Sequence, residues 1–376
     1  MSHGPSLDIL LEMTRRIMSI LALLLGFIPH LGTAAVFFRI TELGTLGGSQ
    51  SLAGAISDSK RVVGSARLAG DAGIHTFLYR RGTIRDLSPL NSQEIVSGSF
   101  PAINNAGIAA SGLVVNGVYV PAIYNTRSGK TTLLGALSTA APFGINGVAL
   151  GISDSGAVVG YSYISDGTRH AFLWTEGTMH DLGSFGGYSV AEAVNNWGAV
   201  VGFSSTSRFG SARAFLYENG FMADISPEGS AESFAVDIND DGKVIGTGLV
   251  PSGDALHGFV FSGGLVTDLG VLPNGQSSSP FAINNRAQIV GTADAPIRID
   301  RVEDPFTGET RDVTVYGPRA FLYERGVMVD LNTRVAGIGD WDLQYAYDIN
   351  NSGQILGYGM LAGNLRAFLL DSVHVR

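Results

Sequence analysis

Five times along this chain a histidine or arginine stands eleven residues ahead of an aspartate: His75 and Asp86, His170 and Asp181, Arg213 and Asp224, His257 and Asp268, Arg319 and Asp330. A sixth basic residue, Arg366, opens the same kind of segment (LRAFLL) near the C-terminus. Six such cations could ring a site for anions. A two-residue turn lies between each pair, and counting back from Glu176-Gly177 puts Phe172 directly opposite Asp181, with His170 diagonal to that carboxylate. A charge-assisted pair across two strands is worth up to about 1 kcal/mol. Chemistry repeated from copy to copy seldom marks one site, so these residues are assigned to structural pairs.

Other chemical signatures are sparse. Asp237-Ile-Asn239-Asp-Asp241-Gly242 imitates the opening of a calcium loop, but Gly248 stands where a bidentate glutamate is needed. Asp348-Ile-Asn350-Asn-Ser352-Gly353 is the nearest relative, and both read as turns. No Ser-His-Asp order, HExxH, phosphate-binding glycine loop or dinucleotide fingerprint is legible. No metal, cofactor or catalytic residue is therefore assigned. Paired carboxylates for glycoside cleavage need only proximity in space, which a sequence does not display.

One stretch does stand out. At about 296–317 the sixth copy of a repeat is interrupted by PIRIDRVEDPFTGETRDVTVYG, dense in charge. Arg298, Asp300, Arg301, Asp304, Phe306, Arg311, Asp312 and Tyr316 are its candidate ligand-binding residues.

The elements that must position these residues come from the repeat itself. One signature is an apolar residue, Asn or Ser, two variable residues, usually Gly, then a β-rich run: AISDSKRVVG, AINNAGIAASG, GISDSGAVVG, AVNNWGAVVG, DINDDGKVIG, AINNRAQIVG and DINNSGQILG. The anchors Ser57, Asn104, Ser153, Asn195, Asn239, Asn284 and Asn350 are spaced by 47, 49, 42, 44, 45 and 66 residues. Asn, Asp and Gly accept the backbone of tight turns, so the signature reads as a hairpin. A second hairpin follows in RHAFLWTEGTMHDLG, ARAFLYENGFMADIS and PRAFLYERGVMVDLN. Each repeat thus supplies four short strands, A to D, in about 45 residues, the period of a propeller or solenoid array. Such a sheet cannot cover its own apolar faces, and neighbours must pack on it. The aromatics of strand C, among them Phe172, Trp174, Phe215 and Tyr217, are expected in that blade-to-blade core.

The chain ends predict closure. The last repeat supplies only strands A, B and C, while FFRITELGTLGG near the N-terminus matches the D-strand stretch TMHDLGSFGG. The expected fold is all-β: a seven-bladed β-propeller of four-stranded antiparallel blades, closed by the N-terminal strand joining the last blade, over residues 36–376. In that meander the A–B and C–D turns lie on one face, the B–C and D–A loops on the other. The second face varies and holds the insertion.

The strings HAFLW, GxMxDLGxxGG and AINxxGxxVG resemble those of the bacterial extracellular HAF repeat family, from about residue 37 to the end. Repeat two departs most, with Pro121 for the basic residue and TRSGKTTLLG for the short turn. The resemblance implies a repeat fold and export, and brings no activity.

Composition agrees. Glycine contributes 51 of 376 residues, in keeping with many tight turns, and 45% hydrophobic against 15% charged residues can fill a large core. A net charge of −9 argues against a nucleic-acid partner. The absence of cysteine excludes disulfides and thiolate chemistry. Arg15-Arg16, the apolar run Ile17–Ile28 and the small residues Gly32–Ala35 read as a signal peptide over 1–35, with translation starting at Met13, and no membrane span after cleavage. The leading expectation is an extracellular or periplasmic monomer without catalysis, binding a protein or glycan through the B–C/D–A face. The alternatives are a carbohydrate-active propeller enzyme with carboxylates near the central channel, and a self-associating surface or matrix protein.

Overall fold

The computed structural model describes residues 36–87, 101–138, 145–249, 255–303 and 309–373. The segment 1–35, expected from sequence as a signal peptide, lies outside them, as do Asp304 and Phe306. Among the described residues no helix is long and apolar enough to cross a membrane.

From Phe37 onward the chain forms seven four-stranded antiparallel sheets, the blades of a β-propeller. β1 (Phe37–Glu42) comes first and belongs to the last blade. Blade 1 is β2 (Gly47–Ile56), β3 (Val62–Leu68), β4 (Ile74–Arg80) and β5 (Thr83–Asp86). Blade 2 is β6 (Ala102–Ile103), β7 (Ile108–Val115), β8 (Val118–Asn125) and β9 (Thr131–Leu133). Blade 3 is β10 (Gly147–Ile152), β11 (Val158–Tyr163), β12 (Arg169–Thr175) and β13 (Thr178–Asp181). Blade 4 is β14 (Ser189–Val194), β15 (Val200–Ser205), β16 (Ala212–Glu218) and β17 (Phe221–Asp224). Blade 5 is β18 (Ser233–Ile238), β19 (Val244–Leu249), β20 (Leu256–Ser262) and β21 (Leu265–Gly270). Blade 6 is β22 (Ser278–Ile283), β23 (Ile289–Glu303), β24 (Thr310–Glu324) and β25 (Val327–Asp330). Blade 7 is β26 (Trp341–Ile349), β27 (Ile355–Leu361) and β28 (Asn364–Val373), with β1 as its outer strand.

Two residue types explain the repeated packing. The phenylalanine of strand C is buried in six blades (Phe77, Phe172, Phe215, Phe259, Phe321, Phe368) and lies opposite a strand-B glycine: Gly64, Gly160, Gly202, Gly246, Gly291 and Gly357. A methyl group at Gly202 would overlap the main-chain oxygen of Val190. Each phenylalanine belongs to a core shared with the preceding blade; Phe215 of blade 4 packs with Val159 and Ala171 of blade 3, beside Tyr217. Trp174 is half-buried against the blade 2–3 core. These positions bear out the expected blade-to-blade role of the strand-C aromatics.

Closure uses more than β1. That strand pairs with β28 from Phe37↔Val373 to Glu42↔Phe368, and buries Phe38. On the blade 1 side, Ser51 Oγ accepts the Ala367 N–H at 3.0 Å, and Asp348 Oδ2 accepts the Ile56 N–H at 2.7 Å. The seam between the ends of the chain is therefore bonded from rim to channel.

Candidate functional site

The basic–acidic pairs form in four of the five predicted cases. His75 Nδ1 lies 2.7 Å from Asp86, His170 2.9 Å from Asp181, Arg213 Nε 3.0 Å from Asp224 and His257 2.9 Å from Asp268. The carboxylate also fastens the chain two residues on: Asp181 Oδ1 accepts the Gly183 N–H and Asp268 Oδ1 the Gly270 N–H. Burial pushes the Asp181 carboxyl up, but hydrogen bonds from His170 and the Gly183 N–H outweigh it and hold the group below its ordinary range. The fifth pair is a correction. Arg319 does not bond Asp330; it donates to Asp342 of blade 7. Asp330 instead accepts from the main-chain and side-chain amides of Asn332 and caps the 3-10 turn Leu331–Thr333. Asn332 replaces the glycine or serine found at this place in other blades, and takes up the Asp330 carboxylate. In the closing blade Arg366 pairs with Glu42 at 3.0 Å, so β1 supplies the acidic partner too.

Strand A of each blade lines a central channel in layers. At the A–B turns, a belt alternates acid and amide: Asp58, Asn105, Asp154, Asn196, Asp240, Asn285, Asn351. Asn105 Nδ2 donates to Asp58 at 2.8 Å and to Asp154 at 2.7 Å; Asn196 and Asn285 donate to Asp240 at 2.9 and 2.8 Å. Seven positions cannot alternate completely, and the one like pair is Asn285 with Asn351, which keeps two carboxylates from meeting. Asp240 is pushed up by burial, yet the amides of Asn196 and Asn285 hold it below the usual carboxylate range. Just inside, the repeat's Asn residues point round the ring. Asn104 Nδ2 donates to Ser153 O, Asn195 to Asn239 O, Asn239 to Asn284 O, Asn284 to Asn350 O and Asn350 to Ser57 O, at 3.0–3.2 Å. Next comes a layer of isoleucine and valine, from Ile56 to Ile349.

Beyond that apolar layer, toward the B–C/D–A face, lies a chamber of about 380 Å³. It exists because strand A bulges. The pairing skips a residue between Ala191 and Ala193, between Ala235 and Asp237, and between Ala346 and Asp348, which turns Glu192, Val236 and Tyr347 to the lumen. Glu192, Asp237 and Asp348 all line it. Each keeps some surface toward the lumen while protein encloses it all round. Burial pushes Glu192 up to about 7, against a smaller opposing pull from Arg169. Burial raises Asp237 to about 7 and Asp348 to about 6, although each accepts two main-chain N–H bonds, from Ile238 and Ile283 and from Ile349 and Ile56. Asp237 thus bridges blades 5 and 6, a role the turn reading of its loop did not contain.

The insertion is a projecting β-ribbon. β23 and β24 stay paired past the end of the blade, from Ala295↔Gly317 to Glu303↔Thr310. At about 3.3 Å per residue this arm reaches about 30 Å. Arg298 pairs with Asp300 and Arg301 with Asp312, all exposed, so these carboxylates stand out on the arm and away from the channel lining. Arg311 lies exposed opposite Val302. Tyr316 is at the root, where a crevice of about 270 Å³ opens between blades 6 and 7. Tyr345, Ser277, Ser279, Thr292 and Asp294 complete its walls. Asp294 Oδ1 accepts the N–H groups of Gln276 and Ser277, both at 2.7 Å, which fixes the D–A loop. Tyr345 also stacks on Phe281 (6.4 Å) and Tyr358 (4.7 Å), linking the crevice to the aromatic wall of the chamber. Of the predicted binding residues, Tyr316 lines this crevice. Tyr345 and its polar neighbours were not singled out by sequence, because they come together only across two blades.

No protein-family model matches the chain, and no curated protein matches it in sequence. Among solved structures it is similar to oligogalacturonate lyase from Vibrio parahaemolyticus, with 9% identity, 90% of this chain and 97% of that one covered, and a TM-score of 0.52. It is also similar to a puromycin-hydrolyzing peptidase from Mycobacterium tuberculosis (11% identity, 88% and 53% covered, TM-score 0.50) and to TolB from Acinetobacter baumannii (13%, 90% and 63%, TM-score 0.44). The chain spans 63% of the length of that TolB and 53% of that peptidase. At such identities the likeness speaks for architecture alone: this chain is a seven-bladed β-propeller.

Proposed function

We propose that this chain is an exported recognition propeller, a member of the extracellular HAF repeat family, that binds a glycan in the crevice at the root of the blade 6 arm. The carrying observation is the lining: two tyrosine rings beside three hydroxyl side chains and a carboxylate. Aromatic faces take up the C–H side of a sugar, and hydroxyls with Asp294 hydrogen-bond its edge. The test is a glycan array probed with residues 36–376, followed by calorimetry on the best ligand. Tyr345→Ala is expected to weaken binding about tenfold or more, a loss of about 1.4 kcal/mol. Deleting residues 297–317 removes Tyr316 and should abolish binding while the far-ultraviolet circular dichroism stays that of the parent. Unchanged affinity in both variants rejects the placement.

A second reading has its own observation. The arm exposes Ile299 at 69%, and no described strand pairs with the outer edges of its two-stranded ribbon. An isolated ribbon is marginally stable in water, and an open edge accepts another strand. A protein partner pairing along the arm would survive Tyr345→Ala and be lost with the arm. Self-association lost on the same deletion would instead favour a matrix role.

A further inference from the structure

The chamber on the inner side of the isoleucine layer has a chemistry of its own, distinct from the arm crevice. Its floor is the apolar isoleucine and valine layer, with the hydrogen-bonded belt beyond it on the A–B side. Small residues, among them Gly54, Ala55, Gly151 and Ala193, leave its volume open where other side chains would fill it. Two aromatic rings, Phe281 and Tyr347, stand 5.3 Å apart at 32° on one wall. Carboxylates are contributed by blades 4, 5 and 7. Asp237 and Asp348 are occupied by main-chain amides, but Glu192 accepts no hydrogen bond from any described residue. Arg169, whose charge acts on it, does not line the chamber; that guanidinium lies over Tyr188 at 4.7 Å and Tyr161 at 5.6 Å. The chamber therefore holds an enclosed acid to which no described residue donates, on a lining that also carries aromatic rings whose faces are electron-rich.

We infer that this chamber is a binding site for a small organic cation, an alkyl or methylated ammonium, with Glu192 as counter-ion and Phe281 and Tyr347 as the aromatic wall. An ammonium meets the carboxylate by charge and the rings by cation–π attraction, which gains strength when desolvated. About 380 Å³ accommodates such a head group with a few carbons. An anion finds no cationic side chain among the described residues of the lining.

The test is a titration of residues 36–376 with tetramethylammonium chloride and n-butylammonium chloride, followed by ligand-observed NMR, with sodium acetate as the anionic comparison. Saturable binding of at least one cation is expected, without saturation by acetate. Glu192→Gln is expected to weaken it at least tenfold, and Phe281→Leu, which keeps an apolar side chain there, at least threefold. Deletion of residues 297–317 should leave it unchanged, which separates this site from the glycan crevice. Failure of both cations to saturate, acetate binding as tight as theirs, or equal affinity in Glu192→Gln overturns the inference.

Discussion

The side-chain amide of Asn350 donates to the main-chain oxygen of Ser57 at 3.1 Å, across 293 residues of sequence. It is the last link of a chain of amides running round the channel, and it crosses the same seam that β1 closes at the rim. Two links in that chain are missing, and both have the same cause. Serine stands at 57 and 153, and a hydroxyl is too short to replace the amide that reaches the next blade. Asparagine does two jobs here: its oxygen accepts the N–H four residues on, as Asn195 does from Ala199, and its amide spans the blade boundary.

Restoring a missing link should therefore stabilise the ring. Ser153→Asn keeps the turn bond to Ala157 and adds a donor toward Asn195 O. A gain of about 0.5–1.5 kcal/mol is expected, and Asn350→Ser should lose a similar amount. Urea unfolding of the two variants beside the parent checks both signs.

The rim of the seam depends on Phe38, which is 2% exposed and packs with Phe368 and Leu370. Phe38→Ala should cost about 3–5 kcal/mol. Phe221→Ala, on an outer strand at 70% exposure, should cost less than about 0.5 kcal/mol. Equal midpoints in thermal unfolding would show that β1 contributes little to closure.

The chamber carboxylate gives a pH signature. Folding raises Glu192 from about 4.5 to about 7, so the folded chain holds the extra proton between those values. Stability from this group therefore falls as pH rises through that window. Glu192→Gln removes the titration. Its Tm should match the parent at pH 5 and exceed it by about 1–3 °C at pH 8. The difference between the two proteins, measured by calorimetry at both pH values, cancels groups common to them.

Most of the architecture was legible because the repeat writes the same instructions seven times. The turn pairs such as Glu176-Gly177 set the register that places Phe172 opposite Asp181, and FFRITE matches a D strand by its sequence alone. Two things were hidden. A bulge near the inner end of strand A breaks the two-residue alternation in blades 1 and 3–7, so alternation alone does not show that Glu192 and Tyr347 face the lumen. Asp237 and Asp348 read as turn residues, and the N–H groups they hold on neighbouring blades are 46 and 292 residues distant. The arm fell between. Its alternating Ile297, Ile299 and Val313, Val315 carried a strand signal inside what was counted as a loop. Arg319 was misassigned because its partner Asp342 comes from the following blade.

Hydrogen exchange with and without the best array glycan tests the recognition face most directly. Slower exchange is expected at residues 277–279, 292–294, 316–318 and around Tyr345, with the A–B and C–D turns unchanged. Protection confined to the turns near Asn105, Asn196 and Asn285, with none at the arm root, would contradict the account.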